Sequence, residues 1–281
     1  MLNKFVLLLC FMLFSATIFA DTSDIKNSNN QIGLQTISTN VDYTETGNGT
    51  LGTAVGTLDT EKGDVPGYAI YISTMTGDDN QYFEAGYDHS KGQTNYTGSL
   101  IGGTFGSAAS FSSAALINYN VRYGKGFLID RVGPDPVVPF MFTPYVELGR
   151  HQWDRGVNYG EIYTNDYFAF GTLWQFSPVV GQFVVTANAM FGTAFRSNIS
   201  VNSGPGLNGF SGALGSSTIY KLGISADYAF TKHLHGNAGF DYTSFSYGMS
   251  AVYPVGGGTL AWEPDSRTNC GVFKLGMGYA F

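Results

Sequence analysis

The sequence predicts an all-β protein, and three observations support that prediction. Glycine accounts for 38 of the 281 residues, about twice its usual share of roughly 7%, and interior glycine destabilises helices. Aromatic residues reach 15% while charged residues reach only 12%, a composition too apolar for a disordered chain. Polar and apolar residues also alternate along many segments, with the period of a β-strand.

The first twenty residues are typical of a secretory signal peptide. Lys4 gives the positive start, residues 5–14 form an apolar core, and Ala20 precedes the expected cleavage site. Cys10 would leave with this segment, so the mature chain would retain Cys270 alone and form no intramolecular disulfide. The formal charge of −7 disfavours a nucleic-acid partner, because such partners require a basic surface.

Alternation is clearest at the C-terminus, where large apolar side chains share one face. They are Phe273, Leu275, Met277, Tyr279 and Phe281, and small or charged residues occupy the other face. Nine further segments alternate in the same way, the first of them least regularly: 36–45, 64–75, 81–96, 115–123, 140–148, 168–176, 183–195, 220–230 and 234–249. The sequence therefore predicts ten strands.

The links between these strands alternate in length. Short links fall at 77–80, 130–136, 177–178 and 231–233, and mostly long links rich in Gly, Ser and Asn fall at 47–63, 97–107, 154–161, 197–215 and 253–268. Short turns on one side and long loops on the other are typical of a transmembrane barrel. A sheet in lipid must also close to pair all its backbone groups. We therefore expect a closed antiparallel transmembrane β-barrel of ten strands, with eight as the main alternative.

On these residues the chain resembles Gram-negative outer-membrane β-barrel proteins of the OmpA-like, opacity-type and ten-stranded small classes. The terminal Phe281, with Leu275, Met277 and Tyr279 on the same face, matches the signature that this family presents to its barrel-assembly machinery. The resemblance covers residues 36–281. It implies a location in the bacterial outer membrane, in contact with lipid and lipopolysaccharide, and leaves residues 21–35 as a flexible periplasmic lead.

Titratable side chains are predicted to face the barrel lumen, with acids and bases mixed. They are Glu84, Asp88, Arg122, Glu147, Arg196, Lys221, Asp227, His235, Asp241 and Lys274. Because an unpaired charge is costly in a narrow interior, we expect an ion-pair network that fills the lumen. A narrow, porin-like path that prefers cations weakly is the alternative.

No catalytic, cofactor or metal site is expected from the sequence. Neither a His-Glu-x-x-His motif nor a Gly-x-Ser-x-Gly motif occurs. Asp88 and His89 are adjacent in a strand and point to opposite faces, and His151 is interpreted as a rim residue. The sequence thus favours a non-enzymatic barrel that displays loops for adhesion, host contact or envelope integrity, through which a host or matrix ligand would bind. A small-solute pore and an outer-membrane hydrolase remain the alternatives.

Overall fold

The structure is a computed structural model that describes residues 23–99, 104–132, 138–179 and 181–281. The predicted signal peptide, residues 1–20, lies outside the described residues. Most of the described chain is in strands that run antiparallel to their neighbours. No described helix is long and apolar enough to cross a membrane.

One short helix precedes the strands in the described chain. Helix α1 covers Ser23–Ser28, and the strands are β1 (Gln31–Asn48), β2 (Val55–Met75), β3 (Gln81–Gly98), β4 (Ala108–Lys125), β5 (Phe127–Val132), β6 (Val138–Arg155), β7 (Glu161–Val179), β8 (Phe183–Val201), β9 (Phe210–Ala213), β10 (Thr218–Ala229), β11 (Leu234–Tyr247), β12 (Tyr253–Gly256), β13 (Thr259–Ala261) and β14 (Asp265–Ala280).

Ten of these strands close into a barrel. The order around the wall is β1, β2, β3, β4, β6, β7, β8, β10, β11 and β14, and β14 pairs with β1 to complete the circle. Strand β5 follows β4 and pairs with β6, β9 pairs with the end of β8, and β12 pairs only with β13. The ten-stranded closed barrel is therefore confirmed, and closure leaves no unpaired sheet edge.

The two ends of the barrel differ. The turn end carries both ends of the described chain and the short connections such as 76–80 and 230–233, whereas the loop end carries the longer connections 202–217 and 248–264. Strands β9, β12 and β13 belong to those two loops. The predicted long links are therefore present at 202–217 and 248–264, whereas the links predicted at 47–63 and 154–161 shrink to 49–54 and 156–160, because the flanking strands extend into them.

The outer face carries a belt of large apolar side chains. Leu34, Phe170, Phe191, Leu222 and Phe273 are among its exposed members. The C-terminal alternation continues the belt, because Leu275, Met277, Tyr279 and Phe281 are all exposed; their role in assembly stays a prediction. A continuous apolar band around a closed barrel is the surface that lipid covers.

Part of the glycine excess is explained by tyrosine rings on the inner face. Gly171 pairs directly with Tyr145, and Gly149 pairs directly with Tyr167. In each pair the ring lies over the glycine of the neighbouring strand, where a Cβ atom would overlap it. Glycine at these positions therefore lets a large ring lie flat against the barrel wall.

The strands extend farther towards the loop end than the alternation predicted. Strand β2 begins at Val55 rather than at residue 64, and β6 ends at Arg155 rather than at residue 148. Antiparallel pairing continues there through polar residues, because a sheet satisfies its own backbone groups whether lipid or water surrounds it. The extension brings several charged side chains into the lumen near the loop end.

The predicted flexible lead at residues 21–35 is wrong for residues 23–35. Strand β1 already begins at Gln31, and α1 lies against the turn end with Ile25 fully buried. Asn29 and Gln175 exchange two amide hydrogen bonds of 2.8 and 3.0 Å, and the Asp24 carboxylate accepts one from the Gly181 N–H. These polar contacts fix the segment, and residues 21–22 lie outside the described chain.

Candidate functional site

Nine of the ten predicted lumen residues do face the lumen, in three groups. The first group is centred on Arg122, whose Nε lies 2.5 Å from Glu147 and whose Nη1 lies 3.0 Å from Glu84. The guanidinium also lies over the Tyr145 ring, 5.0 Å from its centroid. Two acids that neutralise one buried base give the compensation that a narrow interior requires.

The second group contains side chains from β3, β4, β10, β11 and β14. Lys274 lies 2.6 Å from Asp241, and Asp88 accepts a 2.6 Å hydrogen bond from Asn118. Lys221 makes no close pair there but interacts electrostatically with Asp88 and Asp241. Bases and acids are thus balanced within this group.

The third group lies towards the turn end. The Asp227 carboxylate lies 2.6 Å from His235 Nδ1 and accepts a 2.9 Å hydrogen bond from Gln31. His235 and Gln31 are both buried. The group links β10, β11 and β1 across the lumen.

Arg196 is the exception, and its predicted lumen position is wrong. Asp166 pairs with Arg196, but the next pair is Tyr167 with Ala194, so Phe195 is an extra residue in a bulge. A bulge of this kind reverses the alternation beyond it. The Arg196 side chain is 57% exposed and shares Asp166 with Arg150 on the outer face.

The structure also gives the positions of the two histidines considered in the sequence, His89 and His151. Asp88 points into the lumen, while the His89 ring packs beside Tyr68 at 5.8 Å on the outer face. His151 is buried in the lumen, not at the rim; its Nδ1 lies 2.7 Å from Asn118 Oδ1 and its ring stacks on Phe245 at 3.8 Å.

A charged group that the sequence did not reveal lies near the loop end. This mouth cluster consists of Arg155, Asp59, Glu61, Glu161 and Glu263. Arg155 Nε donates to Glu61 at 2.6 Å, Nη1 donates to Glu161 at 2.9 Å, and Nη2 lies 3.4 Å from Asp59. One guanidinium therefore binds three carboxylates from two strands.

Glu263 is positioned by the loop between β13 and β14. Its backbone N–H donates to the Ser250 hydroxyl at 2.8 Å, and its carboxylate accepts hydrogen bonds from Tyr163 at 2.5 Å and Tyr43 at 3.3 Å. Burial raises the pKa of Glu263 to about 8, and the neighbouring Glu161 carboxylate adds to this pKa increase.

Beneath the mouth cluster lies an aromatic layer formed by Tyr43, Trp153, Tyr163 and Tyr247. All four side chains are almost completely buried. Their ring centroids follow one another at 4.9 Å from Tyr43 to Trp153, 5.8 Å to Tyr163 and 5.0 Å to Tyr247. The Arg155 guanidinium lies over the Tyr43 ring at 4.1 Å. Together these groups fill the lumen at that level.

The loops border an open cavity of about 490 Å³ above this layer. We call it the mouth cavity. Carboxylates from four residues line it, namely Glu45, Asp59, Glu161 and Glu263, and so do the aromatic side chains of Tyr96, Tyr159, Phe210 and Trp262. The volume falls within the range of small-molecule sites.

Sequence reasoning missed this site because it placed the residues in loops. Residues 154–161 and 47–63 read as links, so Arg155, Asp59 and Glu61 had no face assigned. The alternation of β6 does continue through Glu147, His151 and Arg155, all buried. Extending this alternation from His151 by two more inward positions would have found Arg155. No local signal, however, connects Arg155 with Glu263, which is 108 residues away in sequence.

The site shows no metal-binding arrangement. In the described chain, no group of three or more His, Cys, Asp or Glu side chains has the geometry to hold a metal ion. The carboxylates of the mouth cluster are directed towards Arg155 and the tyrosine hydroxyls instead.

Known proteins resemble this chain in structure but not in sequence. No protein-family model and no curated protein sequence matches it. The outer membrane protease OmpT from Escherichia coli is 10% identical with a TM-score of 0.50, over 89% of this chain and 95% of that one. The translocator domain of the autotransporter NalP from Neisseria meningitidis is 12% identical with a TM-score of 0.41, over 92% of each chain. Identities this low establish the fold alone, and this chain therefore has the fold of an outer-membrane β-barrel.

Proposed function

We propose that this protein is a non-enzymatic, non-conducting barrel of the bacterial outer membrane. Its apolar belt lies in the membrane and its loop end faces the cell exterior, where the loops bind ligands in adhesion, host contact or envelope integrity. The belt and the unequal ends support this orientation, because outer-membrane barrels place long loops outside. Lipid and lipopolysaccharide would surround the belt.

The filled lumen is the observation that carries the proposal. The aromatic layer and Arg155 occupy the lumen near the loop end, and α1 lies against the turn end with Ile25 buried. A polar chamber of about 200 Å³ lies between them. Ions would have to displace packed rings and a paired guanidinium to cross, so the barrel serves as a rigid scaffold for its loops.

The arrangement at the loop end argues against hydrolysis with a histidine as the base. Arg155 is engaged by three carboxylates and the Tyr163 hydroxyl, and no histidine of the described chain lines the mouth cavity. His151 lies deeper in the lumen than Trp153 and is stacked on Phe245. A histidine that acts as a general base must lie within reach of the substrate, and the aromatic layer separates His151 from the cavity.

Conductance of the refolded full chain in planar bilayers tests the proposal. We expect no steady conductance over a range of salt concentrations and voltages. A Trp153→Ala, Tyr163→Ala double variant should leak, because it empties the aromatic layer, while Trp174→Ala on the outer face should stay silent. Steady single-channel steps in the unmodified protein would overturn the proposal and support a pore.

A second test addresses the loops. Bacteria that display the protein should adhere to host cells or matrix more strongly than bacteria without it, and replacing residues 203–208 by two glycines should abolish the difference. Val252→Ala in the neighbouring loop, at an exposed position outside the cavity lining, is the control. Adherence that persists without residues 203–208 would count against recognition by this loop.

A further inference from the structure

We infer that the mouth cavity binds an organic cation, that is, an ammonium or guanidinium group attached to an apolar body. The inference rests on the proposed function, because it names the ligand chemistry of the same loop end. Three properties of the cavity support it: the excess of carboxylates over bases, the aromatic walls and the volume.

Negative charge exceeds positive charge in and below the cavity. Among the described residues, the carboxylates of Glu45, Asp59, Glu61, Glu161 and Glu263 are grouped around one base, Arg155. Lys62 is near in sequence, but it pairs with Asp42 and is largely exposed. Buried carboxylates are stable only when paired or protonated. A further cation would therefore compensate negative charge that Arg155 leaves unpaired.

Arg155 has no hydrogen-bonding capacity left for the remaining acids. Its Nε is bound to Glu61, its Nη1 is shared by Glu161 and the Tyr163 hydroxyl at 3.2 Å, and its Nη2 faces Asp59. The Glu263 carboxylate accepts a hydrogen bond from Tyr163, and the Tyr43 hydroxyl, with one hydrogen to donate, lies 3.3 Å from both Glu45 and Glu263. These two acids therefore lack a cationic partner in the described chain.

The cavity walls suit an organic cation better than a hydrated ion. Tyr159 is well exposed beside the cavity, and Phe210 stacks on Tyr253 at 5.1 Å. Aromatic faces attract ammonium and guanidinium groups and also cover an attached apolar body. The Trp262 Nε1 atom is buried and has no hydrogen-bond partner, so it is free to donate to a polar atom of the same ligand.

Size and geometry argue against a metal ion as the occupant. A volume of about 490 Å³ greatly exceeds that of a single ion, and the carboxylates do not converge in a metal-binding set within the described chain. A metal ion requires several oxygens at about 2.0–2.6 Å, whereas an ammonium group is satisfied by one or two carboxylates and an aromatic face.

Binding of the organic cation should release a proton from the Glu263 carboxyl group near neutral pH. Burial and Glu161 raise the pKa of Glu263 to about 8, so its carboxyl is largely protonated at pH 7 in the empty site. A cation favours the ionised form. The charged and titratable groups around Glu263 are Arg155, Asp59, Glu45, Glu161, Tyr43 and Tyr163.

Isothermal titration of the folded full chain in detergent micelles tests the inference. Benzylamine is the probe, and benzyl alcohol is its neutral counterpart of similar shape. We expect benzylamine to bind at least tenfold more tightly than benzyl alcohol. Because the buffer takes up the released proton, the measured heat of benzylamine binding should depend on the ionisation enthalpy of the buffer. A blocked peptide Phe-Lys-Phe, compared with Phe-Gln-Phe, distinguishes a protein side chain from a free amine as the source of the cation.

Variants then locate the site. Glu45→Gln should weaken benzylamine binding about tenfold, because Glu45 lines the cavity and has no cationic partner in the described chain, and Glu263→Gln should abolish the proton release. Asp154→Asn is the matched control, because Asp154 precedes Arg155 on β6 and hydrogen-bonds Gln152 away from the cluster; it should bind like the unmodified protein. Heat-dependent gel mobility checks that each variant folds, and Trp262→Leu, which should weaken binding while preserving every charge, gives a second variant.

Each outcome of this experiment is decisive. Equal affinity for benzylamine and benzyl alcohol, or no binding of either amine or peptide, would overturn the organic-cation site and leave the closed-barrel proposal standing. Steady conductance would overturn the proposed function instead, whatever the titration shows. Equal weakening by Asp154→Asn and Glu45→Gln would mean that the cation responds to overall charge and not to this cavity.

Discussion

Replacing Arg155 by methionine should be among the most destabilising single changes in the barrel. The Arg155 side chain is 1% exposed, and three carboxylates lie within 3.4 Å of it. Methionine keeps most of the side-chain volume but removes the charge and all the donors. The carboxylates of Asp59, Glu61 and Glu161 then lose their common partner in a buried site.

The magnitude follows from the burial. Removing one partner of a buried ion pair costs about 3–5 kcal/mol, so we expect the free energy of unfolding to fall by that amount. Arg196→Met removes the same chemical group from the outer face, where the side chain is 57% exposed and Asp166 keeps Arg150 as a partner. An exposed pair contributes only about 0–1 kcal/mol, which makes this variant the matched control.

Urea-induced unfolding in detergent or lipid, followed by tryptophan fluorescence and heat-dependent gel mobility, measures both variants. Arg155→Lys should fall between the unmodified protein and Arg155→Met, because lysine restores the charge but not the planar fork that serves three acids. The reasoning would be refuted if Arg155→Met and Arg196→Met differed by less than about 1 kcal/mol.

Three further changes test other parts of the structure. Leu222→Arg on the lipid-facing belt should cost about 2–4 kcal/mol near the membrane midplane, whereas Ser225→Gln on the lumen side should cost less; equal costs in urea unfolding would mean that the faces are misassigned. Gly171→Ala should cost about 1–3 kcal/mol by overpacking against the tyrosine ring that covers it, and a gel-shift midpoint unchanged from the unmodified protein would contradict that contact. The raised pKa of Glu263, from 4.5 to about 8, means that unfolding releases its proton between these values. The free energy of unfolding should therefore fall as pH rises from about 4.5 to about 8, by up to roughly 1.4 kcal/mol per pH unit, and Glu263→Gln should flatten that slope.

Local pattern was enough to predict most of the barrel wall. Strand alternation depends on the residue and its neighbours two positions away, so the faces of Leu222, Lys221 and Lys274 follow from the sequence. The same rule failed at Arg196, because the single extra residue of the bulge at Phe195 reverses every later assignment in that strand. Nothing in the residues 194–197 marks the bulge in advance.

The sequence by itself determined the class of fold, the two faces of the wall and the unequal ends, because all three are written in alternation and in the lengths of links. Only the tertiary structure decided where the lumen is closed and where a ligand can enter. Arg155, Asp59, Glu161 and Glu263 come from three separate parts of the chain, and closure of the barrel is what brings them together. Contacts of that kind depend on strand register around the whole circle, which no local pattern encodes.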